Sequence, residues 1–209
     1  MVQRWSVVVP VKRLGRAKTR LRASLPDADH DALVLAMALD TVAAALACPL
    51  VGGAVVVTDD PVAGPALTAL GAIRVPDAPD AGLNPALEHG AAEAIRRAPG
   101  WGVAVLGSDL PALRPAELAA ALEAVAIRAF VADAAGTGTT LLAAAPGVAL
   151  RPAYGPASAA AHAASGATAL DGAWPSLRRD VDTAQDLRAA IRLALGPRSA
   201  AQLRTAARR

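Results

Sequence analysis

Short apolar runs alternate with helix signals along the whole chain. The first run, residues 5–11, is rich in valine and contains Pro10 near its end, which is typical of a buried strand. Runs of the same kind predict strands over residues 54–58, 73–75, 101–107, 129–131 and 139–144. Between them, helices are predicted over residues 27–48, 84–97, 115–126, 158–165 and 183–195, the last of these being the final helix.

This order of elements predicts the fold class. Strands that are apolar throughout and separated by helices indicate an α/β fold, a mainly parallel sheet flanked by helices on both faces. The 209 residues contain no repeat and no linker, so we expect a single domain over residues 1–209. Ligands of such sheets bind at the carboxyl ends of the strands, so functional residues are expected in the loops that follow them.

Composition excludes several classes of protein. With 54% hydrophobic and 19% charged residues, the chain is not intrinsically disordered. No apolar run approaches the ~20 residues of a membrane-spanning helix, and the apolar stretch 6–11 is too short for a signal peptide. The single cysteine, Cys48, excludes an intramolecular disulfide and a thiolate metal cluster. We therefore expect a soluble cytoplasmic protein.

Positive charge is concentrated near the amino terminus, although the net charge is only +3. Both lysines of the chain, Lys12 and Lys18, lie in the loop after the first predicted strand, and no acidic residue precedes Asp27. Such a block suits nucleic acid, a membrane surface or a polyphosphate. Its one aromatic residue, Trp5, lies in a predicted strand, which gives base stacking little support. A phosphate-binding loop and a solvated basic loop both remain open.

Three aspartates are candidate metal ligands. Asp109 follows the strand 101–107 directly, where a carboxylate is well placed to hold Mg²⁺ over a nucleotide. Asp180 and Asp182 alternate, so in an extended segment both carboxylates lie on one side and repel unless a cation separates them. The alternatives are that Asp109 caps a turn and that Asp182 is the N-cap of the final helix.

Two further loops are polar within an alanine-rich region. Residues 136–140, with the sequence GTGTT, offer flexible backbone amides and three hydroxyls, which suits either an anion cradle or a hairpin turn. In residues 154–158, Ser158 and backbone amides precede a helix, so they either meet an anion or cap that helix. The three histidines, His162 among them, lie on different predicted helices without ligand spacing, which favours structural roles.

Taken in order, these loops resemble one family, the guanylyltransferases of coenzyme F-420 (deazaflavin) biosynthesis. These enzymes join GTP to 2-phospho-L-lactate or phosphoenolpyruvate. The resemblance covers nearly the whole chain, and it departs from the family pattern at Pro85 and Tyr154. The matching elements are Val9-Pro10-Val11-Lys12, Ala17-Lys18-Thr19-Arg20-Leu21, Gly82-Leu83-Asn84, Asp109-Leu110-Pro111, Gly136-Thr137-Gly138-Thr139-Thr140, Gly155 with Ser158 and His162, and Arg179-Asp180-Val181-Asp182-Thr183.

The resemblance implies a single-domain nucleotidyltransferase (GT-A/Rossmann-like) fold and a role for each matching loop. The implied ligands of Mg²⁺ are Asp109, Asp180 and Asp182. The implied catalytic residues, which act on the phosphates, are Lys12, Lys18 and Asp109. The implied nucleotide-binding residues are Val11, Lys12, Lys18, Gly82, Leu83 and Asn84. The implied acceptor-binding residues are Thr140, Gly155 and Ser158.

The resemblance also implies the reaction: GMP passes from GTP to phosphoenolpyruvate, giving enolpyruvoyl-2-diphospho-5'-guanosine and diphosphate. Abundant alanine and the near replacement of lysine by arginine are typical of high-GC bacteria, where the phosphoenolpyruvate branch is expected. We expect no nucleic-acid or membrane partner, and the oligomeric state is left open. The alternatives are 2-phospho-L-lactate as acceptor, a molybdopterin guanine dinucleotide or nucleotide-sugar type of nucleotidyltransferase, and a non-catalytic nucleotide-binding module.

Overall fold

One seven-stranded sheet organises the molecule. The computed structural model describes residues 3–16, 21, 27–78 and 80–206, with residues 27–29 described for the backbone only. The strands are β1 (Trp5–Pro10), β2 (Val51–Val57), β3 (Ile73–Val75), β4 (Gly102–Leu106), β5 (Arg128–Ala132), β6 (Thr139–Ala144) and β7 (Thr168–Ala169). Their order across the sheet is β3-β2-β1-β4-β6-β5-β7.

Helices pack on both faces of the sheet, and the longest ones flank its centre. They are α1 (Asp27–Leu46), α2 (Ala63–Thr68), α3 (Leu83–Arg97), α4 (Pro115–Glu123), α5 (Ser158–Ala164), α6 (Pro175–Arg178), α7 (Ala184–Arg192) and α8 (Pro197–Ala206), with a 3₁₀ turn at Leu14–Arg16. Within the described residues, no helix is both long enough and apolar enough to cross a bilayer.

The sheet is mainly parallel, as predicted, with one reversed strand. Strands β1, β2, β3 and β4 run parallel, whereas β6 runs antiparallel to both β4 and β5. The loop between β5 and β6 is too short for a crossover connection, so the chain turns back as a hairpin. In the register, Leu106 at the end of β4 pairs with Leu141 near the start of β6. The start of β6 therefore lies at the same edge as the carboxyl ends of β1, β2 and β4.

Both faces of β1 are buried, which explains why its sequence is apolar without alternation. Val7 and Val9 belong to the core cluster that includes residues of α1, whereas Val8 belongs to the cluster that includes residues of α3. Helix α3 lies close to the sheet because Gly90 has no side chain. A Cβ at this position would overlap Val8 and Val57. This close packing fixes where the first turn of α3 lies relative to the sheet edge formed by the carboxyl ends of β1, β2 and β4.

The carboxyl-terminal region differs from the prediction. The expectation that the last helix spans residues 183–195 was wrong, because α7 ends at Arg192 and α8 follows. Helix α8 docks on α1, where the buried Asp40 carboxylate accepts hydrogen bonds from the backbone N–H groups of Arg198 (3.2 Å) and Ser199 (2.7 Å). This stabilisation comes from a residue nearly 160 positions away, so local sequence does not reveal it. The short helices α2 and α6 were missed as well.

Candidate functional site

The three candidate metal ligands lie together at the predicted edge of the sheet. Asp109 follows β4, and Asp180 and Asp182 lie on the segment that precedes α7; one carboxylate oxygen of each lies within 4.8 Å of the others. The buried Val181 donates its backbone N–H to the Asp109 carbonyl at 3.0 Å. This bond attaches the 180–182 segment beside Asp109. The helix α7 is capped by Thr183, not by Asp182.

The loop that carries Asp109 is held from two sides. The Thr41 hydroxyl of α1 accepts the Leu110 N–H at 3.1 Å and donates to the Met37 carbonyl at 2.8 Å. From the other side, the Gly107 N–H donates to the Thr140 carbonyl at 3.0 Å. Gly107 also leaves room for the carboxylate, since a Cβ there would lie 2.7 Å from Asp109 Oδ1. Asp109 is thereby directed by backbone and hydroxyl groups of three elements.

The chemistry of this cluster fits a hard divalent cation. The three side chains are partly exposed and offer only oxygen atoms, the ligand type that Mg²⁺ and Ca²⁺ prefer. Oxygen atoms bound to one octahedral Mg²⁺ lie about 3 to 4 Å apart, so a spacing within 4.8 Å needs only a small closure. Three neighbouring carboxylates repel one another, and a bound cation offsets that repulsion.

The cluster opens into a cleft of about 380 Å³ between the sheet edge and the helices α1 and α3. The described residues that line this cleft are Pro10, Val11, Lys12, Val34, Met37, Ala38, Leu83, Leu87, Val105, Gly107, Ser108, Asp109, Thr139, Thr140, Tyr154, Asp180 and Asp182. Lys12 is exposed at the carboxyl end of β1. One cleft therefore contains a cationic side chain, the carboxylate cluster and an apolar wall from two helices. Lys18, predicted beside Lys12, lies outside the described residues.

A second cavity of about 290 Å³ adjoins the cleft and shares Pro10, Val11, Lys12 and Leu83 with it. Its other described lining residues are Arg13, Val57, Thr58, Asp59, Asp77, Asp80, Gly82 and Ala86. Gly82 has a φ of 103°, a conformation that favours glycine and that precedes the first turn of α3. A ligand that spans both cavities passes Lys12 and Val11.

Asn84, which the resemblance implies to be a nucleotide-binding residue, makes two hydrogen bonds to the backbone of Tyr154. Its side-chain nitrogen donates to the Tyr154 carbonyl at 3.0 Å, and its oxygen accepts the Tyr154 N–H at 2.8 Å. Both ends of the amide are therefore occupied by the backbone of Tyr154. This pair of hydrogen bonds joins the start of α3 to the segment 153–155 on the opposite side of the cleft.

The two adjacent threonines of β6 have different surroundings. The Thr140 side chain is 3% exposed, and its hydroxyl donates to the Val131 carbonyl at 3.4 Å. The Thr139 hydroxyl lies 2.9 Å from Nδ1 of His162 instead. Both threonines line the cleft, so each is placed to face a ligand there. The sequence interpretation named Thr140, which stays a prediction, and did not name Thr139, since nothing in the sequence singles it out.

Gly155 and Ser158 lie near the cleft but are not among the described residues that line it. Gly155 is exposed with a φ of 149°, and Ser158 is buried at the first position of α5. The start of α5 is tied to the polar loop 136–140, because the Ala159 N–H donates to the Thr137 carbonyl at 3.1 Å. The structure therefore brings together the two loops that carry the three implied acceptor residues, while Thr140 and Ser158 are both buried.

Comparison with known proteins agrees with this arrangement. A family model described as guanylyl transferase CofC like matches residues 5–193. The chain is 62% identical to phosphoenolpyruvate guanylyltransferase of Salinispora arenicola and 61% identical to that of Geodermatophilus obscurus. Each alignment covers 99% of this chain and 97% of the relative.

Solved structures of nucleotidyltransferases share the fold. A nucleotidyl transferase from Methanothermobacter thermautotroptrophicus superposes with a TM-score of 0.61 at 17% identity, covering 91% of this chain and 97% of that one. A CMP:2-keto-3-deoxy-manno-octonic acid synthetase complexed with CTP gives 0.52 at 15% identity, covering 91% and 98%. The fold and the family match agree. This chain belongs to the CofC-like family of guanylyl transferases.

Proposed function

We propose that this chain transfers GMP from GTP to phosphoenolpyruvate, giving enolpyruvoyl-2-diphospho-5'-guanosine and diphosphate for coenzyme F-420 biosynthesis. The observation that carries the proposal is the cleft in which Lys12 lies with the three clustered aspartates. The choice of acceptor is supported by two phosphoenolpyruvate guanylyltransferases that are 62% and 61% identical to this chain over nearly their whole length.

The reaction joins two polyanions, so the main demand on the protein is charge neutralisation and alignment. Asp109, Asp180 and Asp182 would hold Mg²⁺, which when bound neutralises charge on the phosphate oxygens. Lys12 binds a phosphate oxygen at the end of β1, and we assign the same role to Lys18. A lysine suits this position because its ammonium is a compact point charge.

No side chain needs to act as a general base. A phosphate monoester has a second pKa of about 6, so the acceptor phosphate is mostly dianionic at neutral pH. One of its oxygen atoms attacks the α-phosphorus of GTP and forms the new P–O bond. The bond from the α-phosphorus to the bridging oxygen breaks at the same time, and diphosphate leaves with that oxygen. The Asp109 loop orients these groups through its backbone anchors to Thr41 and Thr140.

We assign the guanosine of GTP to the second cavity and the acceptor to the opposite side of the cleft. The nucleotide side is lined by Val11, Gly82 and Leu83. Asn84 positions the first turn of α3 on this side through its hydrogen bonds to the Tyr154 backbone. Thr140, Gly155 and Ser158 form the acceptor side, to which we add the Thr139 hydroxyl because Thr139 lines the cleft. A triphosphate that joins the two sides passes Lys12.

A panel of substrates tests this function. The protein is incubated with Mg²⁺, each of the four common nucleoside triphosphates, and either phosphoenolpyruvate or 2-phospho-L-lactate, and diphosphate release is measured. We expect release with GTP, and a higher kcat/KM for phosphoenolpyruvate. A higher value for 2-phospho-L-lactate would contradict the acceptor assignment. Release with another nucleotide instead of GTP would contradict the nucleotide assignment.

A further inference from the structure

We propose that His162 is a positioning residue that holds the acceptor side of the cleft together through a neutral imidazole with its proton on Nδ1. The acceptor's identity rests on the function proposed above, whereas the state of the ring does not. His162 does not line the cleft among the described residues. It acts through Thr139 and through the segment 153–155.

The His162 ring bridges two elements that are distant in sequence. The side chain has no exposed surface and lies on α5. The Ala153 N–H donates to Nε2 at 2.9 Å, and the Thr139 hydroxyl oxygen lies 2.9 Å from Nδ1. The Tyr154 ring packs edge-on against the imidazole with centroids 5.0 Å apart. The ring is thus fixed by two hydrogen bonds and an aromatic contact.

These two hydrogen bonds determine where the proton is. A backbone N–H can only donate, so Nε2 must present its lone pair to Ala153. A neutral imidazole has one such lone pair, and the other nitrogen therefore carries the hydrogen. It follows that Nδ1–H donates to the Thr139 hydroxyl oxygen. The hydroxyl's own hydrogen then points away from the ring and is available to donate to a ligand oxygen in the cleft that Thr139 lines.

The surroundings of the ring favour this neutral form. Burial lowers the pKa of His162 to about 4, and the nearby Arg128 guanidinium contributes in the same direction. Arg128 itself donates to the Ser165 carbonyl and to the Ser165 hydroxyl at the end of α5. Among the described residues, the phenol of Tyr154 also faces the ring, and burial raises its pKa. A protonated ring would lose its hydrogen bond from Ala153.

The consequence is a continuous set of contacts across the acceptor side. Asn84 holds Tyr154 from α3, and His162 holds the neighbouring Ala153 from α5. The same imidazole orients the Thr139 hydroxyl at the start of β6. Loss of the imidazole would leave the partly buried Ala153 N–H without its acceptor and the Thr139 hydroxyl free to rotate. The acceptor should then bind more weakly, while the adjoining nucleotide cavity is unaffected, because His162, Ala153 and Thr139 are not among its described lining residues.

Two substitutions at this position separate positioning from packing. His162→Phe keeps an aromatic ring but removes both hydrogen bonds. His162→Gln keeps one acceptor and one donor about as far apart as the two ring nitrogens. We expect His162→Phe to raise the acceptor's KM about fivefold or more, the effect of one or two lost hydrogen bonds, with the KM for GTP changed less than twofold. His162→Gln should recover most of the loss. Equal changes in both KM values, or no change in either, would overturn the proposal.

A second pair of variants covers the case in which His162→Phe fails to fold. Thr139→Val removes the oriented hydroxyl but keeps the branched shape, and it should raise the acceptor's KM selectively. Thr137→Val is the matched control because Thr137 is an exposed threonine of the same loop whose contact to α5 is through its backbone. It should leave both KM values unchanged. An equal effect of the two variants would contradict the role of Thr139.

The ring state is measured independently of activity by ¹⁵N NMR of the histidine side chains in the full chain. We expect one neutral imidazole protonated on Nδ1 down to about pH 5, and its signal should vanish in His162→Gln. If the signal that vanishes in His162→Gln comes from a ring protonated on Nε2, or on both nitrogens at pH 6, the assignment is refuted. A wild-type protein without transferase activity would refute the proposed function instead, and the NMR result would still decide the state of His162.

Discussion

Neutralising one carboxylate of the metal cluster should remove the response to Mg²⁺ and most of the turnover. Substituting Asp109→Asn or Asp182→Asn changes the charge and keeps the shape. Oxygen atoms within 4.8 Å of one another repel by about 1 kcal/mol per pair in a water-like dielectric and by about 3 kcal/mol at an effective dielectric near 20. Each carboxylate takes part in two such pairs. A bound divalent cation therefore gains its affinity from all three charges.

The same charges should make Mg²⁺ visible in thermal unfolding. Mg²⁺ at ten times its Kd stabilises the native state by about 1.4 kcal/mol, which for a chain of this size corresponds to a rise in Tm of about 3 to 6 °C. We expect this rise in the wild type and its loss in both variants. Turnover should fall by on the order of 10²-fold or more, as when other groups that stabilise charge in the transition state are removed.

Asp186→Asn provides the control, because Asp186 lies within α7, which it caps, and is not one of the three clustered carboxylates. Its carboxylate accepts the Thr183 N–H at 2.9 Å. The control should lower the baseline Tm through loss of about 1 kcal/mol of capping energy and keep the full Mg²⁺-dependent rise. A correctly folded Asp109→Asn or Asp182→Asn protein with near wild-type turnover, or with the wild-type Mg²⁺ response, would refute the metal assignment.

Three further predictions concern the rest of the site. Lys12→Ala should weaken the use of GTP or of the acceptor phosphate in steady-state kinetics while changing stability by less than about 0.5 kcal/mol, because Lys12 is exposed; a lower Tm with unaltered kinetics would show a structural role. Ser158→Ala should raise the acceptor's KM more than that of GTP, and an effect on GTP alone would contradict the acceptor assignment. The folded-state pKa of His162, about 4, lies below the ordinary value of 6.5, so the unfolded chain binds more protons between these values. The free energy of unfolding of the wild type, measured by urea titration, should therefore fall by up to about 3 kcal/mol as pH drops from 6.5 to 4. The His162→Gln variant should lack this pH-dependent fall.

Sequence patterns predicted the elements that are buried on two faces. Strands β1, β2 and β4 are runs of apolar residues because helices cover both faces of the sheet. Such an uninterrupted apolar run is typical of a strand that is buried on both faces. The position of Asp109 directly after β4 and the alternation of Asp180 and Asp182 made these residues candidate ligands, because strand ends and side-chain alternation are local properties. The resemblance to the family implied that the three act together, and the contact that joins them, from Val181 to Asp109, is a tertiary one.

The features that were missed depend on tertiary contacts. Helix α8 is stabilised by hydrogen bonds to Asp40 of α1. The Asn84 side chain forms its hydrogen bonds with the backbone of Tyr154, a residue 70 positions later. The contact between Thr139 and His162 depends on the packing of α5 against the sheet. His162 looked like an ordinary core histidine, and only its two partners, Ala153 and Thr139, reveal its position in the site. No periodicity in the sequence encodes these pairings.

The central claim is tested most directly by ³¹P NMR of a reaction containing the protein, GTP, phosphoenolpyruvate and Mg²⁺. We predict that the signals of both substrates decline together. Two mutually coupled signals of a diphosphate diester and one signal of free diphosphate should replace them, and the diester and the free diphosphate should form in equal molar amounts. The same mixture with Asp109→Asn should show little change over that time. Consumption of GTP to GDP and inorganic phosphate, with phosphoenolpyruvate left intact, would contradict the account.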